Sequence, residues 1–282
     1  MRAVTKMHDP RPETRLGPLS ALQSAWKSRY LLAALTRREI TGRYRGSLLG
    51  LVWTLITPLL LLGIYTFIFG VVFRVRWNEG QSVDGEFAAI LFCGIILHGI
   101  LGEVLGRSPM SIVANVNFVK KVVFPLELLV WVTVLSALFH FLLALLILFG
   151  FMLVTGHAIP LTAVAFPLVL APFVLLVLGV GWFIASMGVY VRDVGQITGF
   201  LATALMFLAP IFYPLTALPE AYRDVFFLNP LTYVVIESRN VLMAGQWPDY
   251  SGLLAYWIVA LVIFWLGYAW FQKTRSGFAD VL

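Results

Sequence analysis

LLGLVWTLITPLLLLGIYTFIFGVVF, residues 48–73, runs for 26 residues without a charge, and the segment just before it, TRREITGRYRG at 36–46, is nearly its opposite. About 20 apolar residues at ~1.5 Å rise span the hydrocarbon of a bilayer, so this run is long enough to cross as a tilted helix. Hydrophobic residues make up 60% of the 282-residue chain and charged ones 12%. A soluble domain of that length has too little core to bury so much apolar surface.

Apolar windows predict six crossings, at 48–73, 87–105, 122–154, 164–190, 197–213 and 252–272. The expected fold is therefore an all-α integral membrane protein with six transmembrane helices per protomer. An even number places both termini on one side. Basic residues decide which, because segments rich in Lys and Arg stay cytosolic. With the amino terminus inside, 16 of the 20 Lys and Arg face the cytosol and only Arg74, Arg76, Arg223 and Arg239 face out. The net charge of +6 thus reflects topology and gives no reason to expect a nucleic-acid partner.

Residues 1–20 carry Pro10, Pro12 and Pro18 and no apolar core, so they read as a disordered cytosolic arm instead of a signal peptide. Segment 21–41 is too charged to cross, yet its apolar residues recur near helical spacing. It is expected to lie in the interface as an amphipathic helix, capped by Ser20, stopped at Gly42 and continued to residue 47 by a basic juxtamembrane stretch. Residues 48–275 form the transmembrane domain and 276–282 a cytosolic tail. Between the fifth and sixth spans, 214–251 holds two short apolar helices. Asn229-Pro230 is a helix start and Gly245 a stop. Two such helices can dip into the outer leaflet and return if protein or water satisfies their turn.

No GxxxxGK[ST] loop occurs, so the chain is not expected to hydrolyse ATP alone. HExxH, CxxC and GxSxG are also absent, and the four histidines are dispersed, so no catalytic residue, cofactor site or metal site is expected. Cys93 lies in an apolar run and reads as a small hydrophobe. Glu103 and Arg107 are spaced for a helical ion pair. Glu127 follows Lys120, Lys121 and Pro125, and is placed to snorkel or to meet a cytosolic partner. His98 and His140 lie deeper and make a poor proton relay. Tyr65, Phe69 and Phe73 repeat every four residues on the first span, and Phe207, Phe212 and Tyr213 end the fifth. These six are candidate channel aromatics able to stack on sugar rings; lipid-facing or packing roles suit them as well.

RREITGRYRGSLLGLVWTLITPLLLLGIYTFIFG, NVNFVKKVVFPLELL, YVRDVGQI, APIFYPLTALPE and NPLTYVVIESRNVLMAG follow one another in order, and together they resemble the permease subunits of bacterial ABC type-2 polysaccharide exporters. The resemblance covers about residues 21–275. It implies a homodimer working with two copies of a separate cytosolic ATPase, which would hold ATP and magnesium. It implies a site in the bacterial cytoplasmic (inner) membrane and an undecaprenyl-type lipid-linked cargo: O-antigen lipopolysaccharide, capsule or teichoic acid. By position, Arg107, Lys120, Lys121, Arg192 and Asp193 would contact the ATPase, and the short outer helices would roof the exit. Arg37, Arg38, Arg43 and Arg45 would flank the entrance, where they could hold a lipid diphosphate or anchor the chain to anionic lipid. An ABC type-2 exporter of lipids or drugs is the near alternative. An integral membrane transferase is a more distant one, since the outer loops offer only scattered carboxylates.

Overall fold

The computed structural model describes residues 17–72, 86–120 and 124–282, and among them every regular element is helical. Helices α1 (Pro18–Lys27) and α2 (Arg29–Arg43) precede α3 (Trp53–Tyr65), which continues as a π-helical stretch to Val72. Then come α4 (Glu86–Ser111), the short α5 (Val116–Lys120), α6 (Leu128–Val154), α7 (Phe166–Tyr190), α8 (Val194–Phe207), α9 (Glu220–Phe226), α10 (Pro230–Leu242), α11 (Tyr250–Thr274) and α12 (Phe278–Val281). Five helical stretches are long and apolar enough to cross a membrane: those built on α3, α4, α6, α7 and α11. The chain is a multi-pass membrane protein.

Burial orders these helices around α4. It packs against α3, α6, α7, α8 and α10, and Leu91, Phe92, Leu97, Ile100, Leu101 and Val104 are all closed to solvent. The closest pair is α7 with α11, where Gly179 and Gly267 let the two backbones touch. By contrast α3 leaves Leu55, Leu59, Leu60 and Ile64 exposed, and α8 leaves Ile197, Phe200 and Phe207 exposed. These are faces for lipid or for another chain.

Both ends of the described chain lie at one end of the bundle. There Ser24 of α1 donates to Glu127 at the start of α6, Arg275 reaches the same carboxylate, Tyr190 donates to Thr274 O, and α12 packs on α5 and α7. Call this the proximal end. At the distal end, Thr162 before α7 donates to Val241 O, Tyr256 of α11 to Pro230 O, and Tyr233 of α10 to Asp249 O. Helix α10 starts and stops where expected: the Asn229 side chain accepts from Leu231 N at 3.0 Å, and Gly245 takes φ +67° just beyond the end.

Several expectations need correcting. The predicted interfacial helix is two helices broken at Ser28, and α1 begins at Pro18 with Gly17 as its N-cap. Ser20 is no cap: it lies in the first turn and donates back to Gly17 O. The helix expected to stop at Gly42 runs to Arg43. The third span starts at Leu128 instead of 122, because Pro125 cannot join a helix interior. The fifth is a helix of 14 residues, about 21 Å long, against a hydrocarbon core of ~30 Å. The chain past α8, through Pro210 and Pro214, completes the passage to the distal end without helix. The arm expected at 1–20 lies outside the described residues up to position 16.

Candidate functional site

Helix α2 packs against α6, and its long charged side chains reach across to the second half of α4. Glu39 is ion-paired with Arg107, and one turn on Arg43 is ion-paired with Glu103. Arg107 Nη1 also reaches Glu103 Oε1 at 3.2 Å, the helical pair expected from spacing. From α6, His140 Nδ1 lies 3.2 Å from Glu103 Oε2, and Tyr44 OH lies 3.4 Å from His140 Nε2. Arg43 Nη1 also lies 3.2 Å from His140 Nδ1, so this ring nitrogen sits between a guanidinium and the Glu103 carboxylate. Two carboxylates and two guanidiniums balance, and most of Glu103 is withdrawn from solvent, with 14% side-chain exposure. The network fastens the amphipathic segment to the bundle.

Arg43 and Arg107 therefore face carboxylates within the protein. Arg37, Arg38 and Arg45 are exposed and form no ion pair among the described residues. Arg38 lines a cleft of about 290 Å³ together with Glu39, Arg107, Ser111, Asn115 and Thr133. Lys120 is exposed at the end of α5, and Arg192 and Asp193 are exposed in the turn between α7 and α8. Lys121 lies outside the described residues. A Cβ on Gly188 would sit 2.1 Å from Pro109 O, so the end of α7 touches the end of α4. The α7–α8 turn and the α4–α5 segment thus share the proximal end.

The aromatics form two groups. Tyr65 lies 6.3 Å from Phe69, which lies 5.3 Å from Phe87 at the distal start of α4. Phe207 stacks on Phe212 at 5.4 Å, Tyr213 meets Phe226 edge-on at 6.3 Å, and Tyr213 OH donates to Phe207 O. Both groups flank α4, and no described ring contact joins them. Phe73 lies outside the described residues.

Sequence reading missed Arg239, which it counted only as an outer charge. The guanidinium is buried, and it donates to Ile90 O at 3.0 Å, to Ile211 O at 2.9 Å and to Pro210 O. One side chain thus ties α10 to the start of α4 and to the non-helical passage after α8. A signal was present: Leu231, Val235 and Arg239 fall on one face at helical spacing, and the first two are core. His98 also links neighbours, with Nε2 3.0 Å from Ala202 O.

A sequence profile of the ABC-2 type transporter family matches residues 30–243, more than half of the chain. The chain is 28% identical over 261 residues to the O-antigen export system permease protein RfbA of Myxococcus xanthus, covering 92% of this chain and 98% of that protein. It is 26% identical to the O-antigen export system permease protein RfbA of Klebsiella pneumoniae, over 89% of this chain and 95% of that protein. The polysialic acid transport protein KpsM of Escherichia coli is 27% identical over 86% of this chain and 92% of its own length.

Proposed function

The chain belongs to the ABC-2 type transporter family, and from that premise we propose that it is the permease subunit of an ATP-driven exporter of lipid-linked cell-surface polysaccharide. The observation that carries this reading is the near end-to-end similarity to O-antigen export permeases, 98% of one relative's length. The chain itself supplies a path and a coupling surface. ATP and magnesium would be held by two copies of a cytosolic ATPase partner, since the sequence has no phosphate-cradling loop of its own.

The proximal end would face the cytosol of a bacterium, at the inner membrane, because the basic residues gather there. Lys120, Lys121, Arg192 and Asp193 would meet the ATPase, with Arg107 behind them in the Glu39–Glu103 network. Closure of the ATPase dimer on nucleotide would bias two states of the rigid spans through these contacts. A second copy of the chain would cover the bare faces of α3 and α8 and bring both aromatic groups to a shared path. Tyr65, Phe69, Phe73, Phe207, Phe212 and Tyr213 would offer ring faces along which a sugar chain slides. Arg37, Arg38 and Arg45 would receive the diphosphate of an undecaprenyl-type carrier, with Arg43 held back by Glu103.

Deletion of the gene tests this. The expected result is loss of surface polysaccharide with lipid-linked polymer accumulating inside, restored by the intact gene. Full surface polymer in the deletion strain would refute the assignment.

A further inference from the structure

Helix α1 and the start of α6 flank an open surface groove of about 560 Å³ that no part of the proposed transport path uses. Its walls are Leu19, Leu22, Ala25 and Trp26 of α1, Leu32 of α2 and Trp131 of α6. The size lies within the roughly 300–1,000 Å³ of small-molecule sites. Ser24 Oγ donates to Glu127 Oε1 at 2.8 Å, so the groove is held in shape by a bond from its own helix to α6.

The rim is cationic. Lys27 and Arg29 flank the break at Ser28, and neither pairs with a carboxylate among the described residues. Arg29 is held in place, with its guanidinium carbon 5.4 Å from the Trp26 ring centre and 4.6 Å from that of Tyr30, and with Nη1 donating to Trp26 O. Trp26 is 72% and Tyr30 77% exposed in the isolated chain. Large amphipathic rings in that position, beside cations and next to a span, belong to the headgroup level of a bilayer.

We propose that the groove between α1 and α6 is a binding site for one anionic glycerophospholipid, with an acyl chain along Leu19, Leu22, Leu32 and Trp131 and its phosphate against Lys27 and Arg29. An apolar groove suits an acyl chain, and two cations at one end, of which Arg29 is held by Trp26 and Tyr30, complement an anionic headgroup. The bound lipid would cover the exposed side of α1 and hold it against α6. The site is independent of the cargo, and it requires only that the chain sit in a bilayer.

The test uses the full-length chain purified in neutral detergent, titrated with dioleoyl phosphatidylglycerol or dioleoyl phosphatidylcholine and read by native mass spectrometry. The wild-type chain should retain phosphatidylglycerol the more tightly. Lys27→Gln and Arg29→Gln should each weaken that lipid about five-fold, leaving phosphatidylcholine unchanged. Leu22→Trp, which fills the groove, should reduce retention of both lipids, while Lys273→Gln removes an equal charge outside it and should change neither. Circular dichroism checks that each variant is folded, and the two Gln variants decide the matter if Leu22→Trp is not. Equal affinity for the two lipids in the wild type, or an effect of Lys273→Gln as large as that of Arg29→Gln, would overturn the site. Displacement of phosphatidylglycerol by an equimolar polyprenyl diphosphate would show that the groove takes the carrier instead, and would overturn this occupant.

Discussion

Glu127 Oε2 lies 3.2 Å from Arg275 Nη1, joining the residue before α6 to the residue after α11. The carboxylate is 6% exposed and the guanidinium 30%, and Arg275 Nη2 also donates to Phe124 O at 3.0 Å. With Ser24 on the other carboxylate oxygen, one side chain binds α1, α6 and the end of α11 together. Removing one member of a buried pair costs about 3–5 kcal/mol, and partial hydration of Arg275 brings the expectation for Glu127→Ala to about 2 kcal/mol. Glu127→Gln keeps an acceptor for Ser24 and should lose less. Thermal unfolding in detergent checks both, and an unchanged Tm in Glu127→Ala would refute the tie.

The contact of α7 with α11 rests on two glycines. A Cβ on Gly267 would fall 2.0 Å from Gly179 O, and one on Gly179 would fall 2.5 Å from Ile263 O. Backbone cannot yield as a side-chain tip does, so Gly267→Ala should push the helices apart and cost about 1–3 kcal/mol. Gly150→Ala, with open space around its Cβ, is the control and should leave Tm within a degree or two. Equal effects of the two changes would show that α7 and α11 are not packed this closely.

Transfer free energy made the spans at 164–190 and 252–272 legible, and a local hydrogen bond did the same for the start of α10 at Asn229. What it could not reveal is lateral. The early end of α8 depends on distant side chains that take up freed carbonyls: Asn229 Nδ2 donates to Leu205 O, and Arg239 donates to Pro210 O and Ile211 O. With those acceptors satisfied, the helix can stop inside the protein. The Glu103–Arg107 pair was readable from spacing, but Glu39 and His140 belong to the same cluster through helix packing alone. At Ser28 the sequence carries neither Gly nor Pro, so the break between α1 and α2 had no local mark.

Asp249 caps α11. Its carboxylate accepts from Ser251 Oγ at 2.7 Å and from the backbone N–H groups of Ser251 and Gly252 at 3.1 Å. The Ser251 hydroxyl and these amides hold its acid below the ordinary aspartate range. The charged form is therefore favoured by the fold: its stabilisation is complete above the unfolded pKa and is lost as pH falls through the lower folded one. Asp249→Asn should lower Tm at pH 7 and flatten its dependence on pH between about 5 and 3. Parallel Tm profiles for the variant and the wild type would show that this cap adds no pH dependence.

Arg192 and Asp193 are exposed in the turn where α7 ends against Pro109 of α4. Reversing both, as Arg192→Asp with Asp193→Arg, preserves the number of basic residues at that end, so insertion should survive. In the proposed complex, loss of a matched charge pair should weaken ATPase attachment by about 1–3 kcal/mol or uncouple hydrolysis from export. Co-purified ATPase, its turnover and surface polysaccharide are measured in the same strain. Wild-type values for all three would confine these residues to topology.

Arg239 carries the largest expected local effect, because its donors satisfy carbonyls in two separate segments. Arg239→Met fits the volume of the stem yet withdraws the donor from Pro210 O and Ile211 O, while Ile90 O keeps its helical bond within α4. Each abandoned buried acceptor costs about 1–3 kcal/mol, so Arg239→Met should unfold the distal end or prevent stable accumulation. Arg239→Lys offers three hydrogens from a single point, whereas the guanidinium fork spreads its donors across a plane. It should restore accumulation in part but leave the passage after α8 loosely held. Hydrogen exchange across 208–219 then separates the roles: faster exchange in Arg239→Lys, with α6 unchanged, is the expected result. Wild-type protection there, or full accumulation of Arg239→Met, would remove Arg239 from the anchoring of this segment.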